Sequence, residues 1–333
     1  MKKLLTLLLI FCSLTASALA SEIPHLDKVA PAYRAAAQNF MFLYTSDADL
    51  KGTEAMQKTT AQGRETITVP PKGADPAVNM YVFRPKNINA QTLPVIYYIH
   101  GGGYLFRQSL DNIERYQNLA DNTGAAVITV DYRLSTEAAF PAALIDAYNG
   151  LLYVKQNAGK LGFDGENMLI MGDSAGGGLS ASLALYNRDN ANLALKGQVL
   201  IYPMLDYRTG SQDSPYKSEY TGNICWLRPT NVFAWEKLRG GQKITKEMLP
   251  YFSPAMAEDL TNLPPAVIYT GSLDLFVNED ITYANKLVED GNATTLYVVP
   301  GLYHAFEVAV PDAQQSHEFW QRIYAESKAL LTK

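Results

Sequence analysis

Apolar positions along this chain follow two alternating patterns. Nearly continuous apolar runs at 94–99, 125–130, 168–171, 199–202, 267–269 and 296–299 predict strands buried on both faces. Between them the apolar residues recur at helical spacing. Leu144, Ala147, Tyr148 and Leu151 follow Pro141, and Leu179, Leu183 and Tyr186 follow Ser174. Ile281, Ala284 and Val288 mark a third helix, and Trp320, Ile323 and Tyr324 the last. Strands alternating with helices predict an α/β fold, with a mostly parallel central sheet and helices on both faces. Two weaker strands come first, at 66–69 and 80–83. They are expected to pair antiparallel at one sheet edge.

Two segments interrupt the alternation. Residues 22–60 read as helical and moderately polar, with Ala35, Ala36 and Ala37 inside. Residues 206–250 hold Tyr207, Tyr216, Tyr220, Trp226, Phe233 and Trp235, and are too long for an ordinary connection between strands. The competing reading is a crossover helix with a long loop. We expect both segments to form a cap on one domain spanning 21–333.

The first twenty residues read as a signal peptide. Lys2 and Lys3 precede an apolar stretch from Leu4 to Leu14, and Ala18-Leu19-Ala20 supplies small residues for cleavage before Ser21. The stretch is shorter than the roughly 20 residues that span a bilayer, so a secreted or periplasmic protein is expected, with no membrane span after signal removal. Phe11 is too bulky to precede a lipid-attached Cys12. Cys225 is then the lone cysteine, so no internal disulfide can form. Its neighbour Trp226 suggests packing.

The net charge is −5 and no basic run exceeds two residues, which excludes a nucleic-acid partner. No grouping of His, Cys and carboxylates suggests a metal site, and no cofactor is implied.

Candidate chemistry sits at strand ends. Gly172-Asp173-Ser174-Ala175-Gly176 is a G-x-S-x-G pattern between a buried strand and an amphipathic helix, the context in which a sharp turn exposes a nucleophilic Ser174. His100-Gly101-Gly102-Gly103 follows another strand, and its glycines free backbone N–H groups to form an oxyanion hole. A serine nucleophile needs a base. The chain has four histidines, and only His304 follows the last strand in a loop able to return to Ser174. The base needs a carboxylate to hold its tautomer. Asp274 is the first after a strand end. Glu279 and Asp280 are rivals, expected to serve as ordinary first-turn charges of the next helix.

With these motifs the chain resembles the hormone-sensitive-lipase-like branch of α/β-hydrolase carboxylesterases. Asp131-Tyr132-Arg133-Leu134, Phe140-Pro141-Ala142-Ala143 and Leu263-Pro264-Pro265 add to the likeness, as does His304-Ala305-Phe306. It covers about 65–330. Leu275 and Ser135-Thr136 depart from the family pattern without touching a reacting group. The resemblance implies an α/β-hydrolase fold with a helical cap, Ser174 as nucleophile, His304 as base and Asp274 as acid. It further implies an oxyanion hole from the N–H groups of Gly102, Gly103 and Ala175, with His100 and Gly101 supporting the glycine loop. The expected function is hydrolysis of a small-molecule ester through an acyl-enzyme. An amidase or peptidase would use the same residues, and a ligand-binding relative would lack part of them. Bulky cap aromatics predict a small pocket, hence short acyl groups.

Overall fold

The computed structural model describes residues 23–332 apart from 62, 87, 89, 108, 109 and 111–113. The expected signal peptide therefore lies outside the described residues. No helix among the described residues is long and apolar enough to cross a membrane.

Eight strands form one sheet: β1 (Glu65–Val69), β2 (Val78–Phe83), β3 (Leu93–Ile99), β4 (Ala126–Val130), β5 (Phe163–Asp173), β6 (Gly197–Ile201), β7 (Ala266–Gly271) and β8 (Thr294–Val299). Across the sheet the order is β8-β7-β6-β5-β3-β4-β2-β1. All pairs from β4 through β8 are parallel. The two early strands pair antiparallel, Ile67 opposite Met80, and β2 also runs antiparallel to β4. Every residue of β4, β6 and β7 is buried, as their unbroken apolar runs require. β1 instead alternates, because one of its faces meets water.

The pleat sends alternate side chains into two cores. Val95, Tyr97 and Ile99 of β3 join one core with helices α2 (Ala142–Leu161), α3 (Ala175–Asp189), α4 (Arg228–Arg239) and α5 (Val277–Glu289). Ile96 and Tyr98 join the other with α1 (Arg115–Thr123) and α6 (Gln314–Leu331). Helix α1 has no counterpart in the hydrophobic pattern. Only Tyr116, Leu119, Ala120 and Thr123 of its nine residues face inward, too few to stand out among polar neighbours.

Residues 22–60 are not the helical run their composition suggested. The described part holds three 3-10 turns and a four-residue helix, Arg34–Ala37. Pro31 supplies no N–H to continue a helix from the preceding turn. Beyond it, Met41–Phe42 pairs in parallel with Cys225–Trp226. Thr230 ties this junction, donating its hydroxyl to Phe42 O at 2.9 Å and accepting the Tyr44 N–H at 3.0 Å. The two segments outside the alternation thus touch each other. Within 206–250, α4 is the main helix, and apart from the Cys225–Trp226 strand and the start of the short helix Leu249–Phe252 the rest is turns and loop.

The segment after β4 is fixed by partly buried ion pairs. Arg133 holds Asp146 of α2 through Nε at 2.8 Å and Nη2 at 2.7 Å. Arg107, just past the glycine loop, holds Asp131 at 2.6 Å and Glu137 at 2.8 Å. Asp146 is wholly buried. Arg133→Met should lower stability by about 3–5 kcal/mol, because it removes both guanidinium contacts and leaves the buried carboxylate only the backbone N–H of residue 133. Urea unfolding measures this. A loss below about 1 kcal/mol, the scale of a surface pair, would show the pairing to be dispensable.

Candidate functional site

The sheet order decides where the chemistry can assemble. β5 is central, flanked by β3 and β6. The glycine loop leaves β3 on one side of it. Asp274 and His304 arrive from β7 and β8 on the other. All four features lie at C-terminal strand ends, where open α/β sheets place their sites.

Ser174 occupies the turn between β5 and α3 at φ 56° and ψ −121°, a conformation rare for any residue with a Cβ. Its backbone is held there. The Ser174 N–H donates to Ile201 O at 2.9 Å, and its carbonyl accepts the N–H groups of Gly178 and Met204, each at 3.0 Å. The turn packs flush on β3: a Cβ on Gly176 would lie 2.1 Å from Ile99 O, so only glycine fits.

His304 must return from the edge strand to the centre of the sheet. Three strand spacings separate β8 from β5, about 14 Å. The loop after β8 makes this return by folding over the end of β7, where Leu273 donates its N–H to Leu302 O at 2.9 Å. The imidazole ends with Nε2 2.8 Å from Ser174 Oγ and Nδ1 2.8 Å from Asp274 Oδ2. The other Asp274 oxygen accepts the Phe276 N–H at 2.9 Å. Ser174, Asp274 and His304 are 6%, 1% and 4% exposed, so the chain of hydrogen bonds sits in a poorly hydrated setting. Tyr202 and Phe276 pack edge-on to the imidazole, at 4.6 and 5.2 Å between ring centres.

Glu279 and Asp280 lie in the first turn of α5 as expected, but they are not the ordinary charges of such a turn. Both are fully buried, because the Leu205–Asp206 segment covers the start of α5. Glu279 accepts the N–H of Leu205 at 2.6 Å, that of Asp206 at 3.3 Å, and the Thr209 hydroxyl. Burial, then the nearby Asp206, pushes its pKa well above the usual carboxylate range. Neither oxygen of Asp280 has a hydrogen-bond partner, and burial with Glu279 and Asp274 nearby raises its pKa likewise. Of the three carboxyls, only Asp274 is hydrogen-bonded to His304.

The glycine loop abuts the turn. A Cβ on Gly101 would lie 2.6 Å from Asp173 Oδ2 and 3.2 Å from Ser174 Cβ. Gly102 takes φ 110°, open only to glycine, and its carbonyl accepts the N–H groups of Leu105 and Phe106 at 3.0 Å. Among the described residues, the N–H groups of Gly102, Gly103 and Ala175 donate to no protein acceptor. His100 is buried below. Its Nδ1–H donates to Gly101 O at 2.7 Å, its ring stacks on Tyr132 at 4.4 Å, and the Tyr132 hydroxyl donates to His100 O at 2.9 Å. Burial lowers the His100 pKa, so the ring is a neutral support.

Two contributors were not evident in the sequence. Asp173, beside Ser174, accepts the Tyr98 hydroxyl at 2.8 Å and pairs with Arg115 at 3.3 Å. Its place inside the G-x-S-x-G pattern was the available signal, but Arg115 lies on the unforeseen α1. Trp226 presses on the glycine loop: a Cβ on Gly103 would lie 2.2 Å from Trp226 Cη2. Cys225 is buried beside it, and burial pushes its thiol pKa well up, as suits packing.

Glu279 carries a pH-dependent prediction. A carboxyl with a raised folded pKa stabilises the fold fully below its unfolded value of about 4.3 and loses that contribution as pH rises through the folded value. Glu279→Gln keeps the shape without the ionisation. The variant should match the parent near pH 4 and become the more stable of the two with rising pH, as read by urea midpoints. A difference independent of pH would show that folding leaves the Glu279 pKa unshifted.

Comparison with known proteins agrees with this architecture. A family described as having the α/β-hydrolase fold matches residues 96–308. An arylesterase of Saccharolobus solfataricus is 35% identical over 64% of this chain and 68% of its own length. An ethyl acetate hydrolase of Pseudomonas putida is 31% identical, covering 67% and 69%. The crystal structure of esterase LipW from Mycobacterium marinum superposes with a TM-score of 0.80 at 26% identity, over 93% of this chain and 98% of LipW. With its sheet order, its strand-end serine turn and its glycine loop, this chain belongs to the hormone-sensitive-lipase-like family of α/β-hydrolase carboxylic ester hydrolases.

Proposed function

We propose that this esterase hydrolyses short-chain acyl esters through an acyl-enzyme formed on Ser174. The observation that carries this reading is the buried relay of two 2.8 Å hydrogen bonds, Ser174 to His304 to Asp274. His304 Nε2 takes the Ser174 proton as Oγ attacks the ester carbonyl, and Asp274 holds the Nδ1–H tautomer. The tetrahedral oxyanion forms beside the free amides of Gly102, Gly103 and Ala175. The intermediate collapses, His304 protonates the departing alkoxide, and the acyl group stays on Ser174. Water then attacks the acyl carbon, giving a proton to His304; the second tetrahedral intermediate breaks its bond to Ser174 Oγ, His304 returns the proton to that oxygen, and the acid leaves.

The preference for short chains is supported by Trp226. Its ring is 5% exposed and lies against Gly103, so a bound carbonyl has a rigid indole beside it. The name of the ethyl acetate hydrolase points the same way for that relative. We further propose export: the Lys2-Lys3 start, the apolar run and Ala18-Leu19-Ala20 support cleavage before Ser21. Amino-terminal sequencing of the protein from periplasm or culture fluid should begin at Ser21, and an intact Met1 on a cytosolic product would refute this.

Ser174→Ala should remain folded and lose about 10⁴-fold or more in kcat, and a phosphonate ester should label the parent on Ser174 alone. A fully active variant would end the assignment. Across nitrophenyl esters, kcat/KM should peak at roughly two to six acyl carbons, since each methylene that fits adds about 0.8 kcal/mol and each that does not costs about 1–3 kcal/mol. Trp226→Ala should move the peak to longer chains. A parent optimum at twelve carbons, or an unmoved peak in the variant, would remove the indole as the limiting wall.

A further inference from the structure

The triad of hydrogen-bonded groups leaves one buried polar pair beside it without a role. Tyr202 is the first residue after β6 and stands at φ 34°, an uncommon region for a tyrosine. Its N–H donates to Tyr269 O at 2.6 Å, which fixes the backbone. Its ring meets the His304 imidazole at 4.6 Å between centres and 61° between planes. Its hydroxyl donates to Glu307 Oε1 at 2.6 Å. Glu307 lies three residues beyond His304, in the short helix Phe306–Ala309. Tyr202 and Glu307 are both buried, and Glu307 Oε2 has no hydrogen-bond partner.

A buried carboxyl with one oxygen unpaired is costly to keep, so its single strong contact needs an explanation. We propose that Glu307 and Tyr202 are positioning residues for the base: their hydrogen bond pins the phenol ring against His304 and fixes the ring plane in which Nε2 meets Ser174 Oγ. The proposal rests on the reading of His304 as the base. The Nε2 contact to Ser174 is given up when Oγ attacks, and the imidazole is then held by its Cβ–Cγ bond and by Nδ1 on Asp274, which leave small rotations about χ1 and χ2. Phe276, tied to Asp274 through its N–H, restrains part of this rotation. Tyr202 restrains more, provided its far end is fixed. The loop that delivers His304 also delivers Glu307, so the base and the anchor of its support move as one unit.

Glu307 acts here by shape. The groups that face it are Tyr202, Asp173, Arg115, Tyr33, Tyr269 and Cys225. Arg115 is the one cation of these, and it pairs with Asp173 at 3.3 Å. Burial outweighs its attraction and raises the Glu307 pKa, which favours the neutral acid.

Three variants test this with a short nitrophenyl ester. Tyr202→Phe and Glu307→Leu each remove the hydrogen bond, and each should lower kcat about 10–100-fold with KM unchanged, as a small misplacement of a reacting group does. The double variant should be no worse than the poorer single one, because both remove the same bond. Glu307→Gln keeps a carbonyl acceptor and should restore kcat to within twofold, with the acid limb of the kcat/KM profile unmoved. Tyr202→Phe carries the test if Glu307→Leu does not fold. Full kcat in Tyr202→Phe would overturn the proposal. So would a glutamine variant whose acid limb moves to lower pH, since Glu307 would then act by its charge. A parent protein with neither ester hydrolysis nor phosphonate labelling of Ser174 would overturn the esterase reading and this one with it.

Discussion

The turn at Ser174 is the constraint on which the rest of the site depends. A left-handed backbone on a residue with a Cβ costs on the order of 1–3 kcal/mol, and it persists only where the surroundings determine it fully. Here hydrogen bonds to Ile201, Met204 and Gly178 do so, together with the tight seat of Gly176 on the β3 carbonyls. The result is a hydroxyl lifted clear of the central strand. Once it is there, the partners have fixed routes. The glycine loop comes from the neighbouring strand β3, and Asp274 and His304 come across the sheet from β7 and β8. The long reach of the His304 loop follows from that placement.

Burial then sorts the carboxyls by what they touch. Asp274 accepts two hydrogen bonds, one of them from His304. Glu279, Asp280 and Glu307 are all driven toward their neutral forms by burial. Ionised carboxylates at Asp274, Glu279 and Asp280 together would repel one another in a poorly hydrated setting. Neutral acids remove that repulsion and still hold loops in place, as Glu279 does for Leu205 and Asp206.

What could be read from the sequence was whatever is set by near neighbours along the chain. The serine turn and the glycine loop are short because their geometry depends on small residues side by side. The buried strands were legible because both faces of each are apolar. Glu279 and Asp280 were misread because their burial depends on a segment more than seventy positions earlier, which folds over the start of α5. Residues 22–60 were misread for a similar reason. Their composition permits helix, but Met41–Phe42 is drawn into pairing with Cys225–Trp226 far along the chain. Helix α1 escaped notice because few of its residues face inward.

Trp226 and the Asp274 loop share one support. The ladder that includes Trp226 has two residues on each side, too short to be stable alone. The indole N–H donates to Asn231 Oδ1 at 3.0 Å, and the Asn231 amide donates to Thr209 O at 2.7 Å. The Thr209 hydroxyl donates to Glu279, which also holds the segment leaving β6. Asn231, Thr209 and Glu279 are all buried, so this relay has no water to take the place of a lost member. The position of Trp226 over Gly103 is therefore tied to the start of α5, five residues beyond Asp274. The placing of Trp226 and that of the Asp274 loop are coupled through Glu279. Changes that reshape the indole while sparing Asn231 leave that coupling intact, and changes at Asn231 or Thr209 disturb Trp226 and the Asp274 loop together.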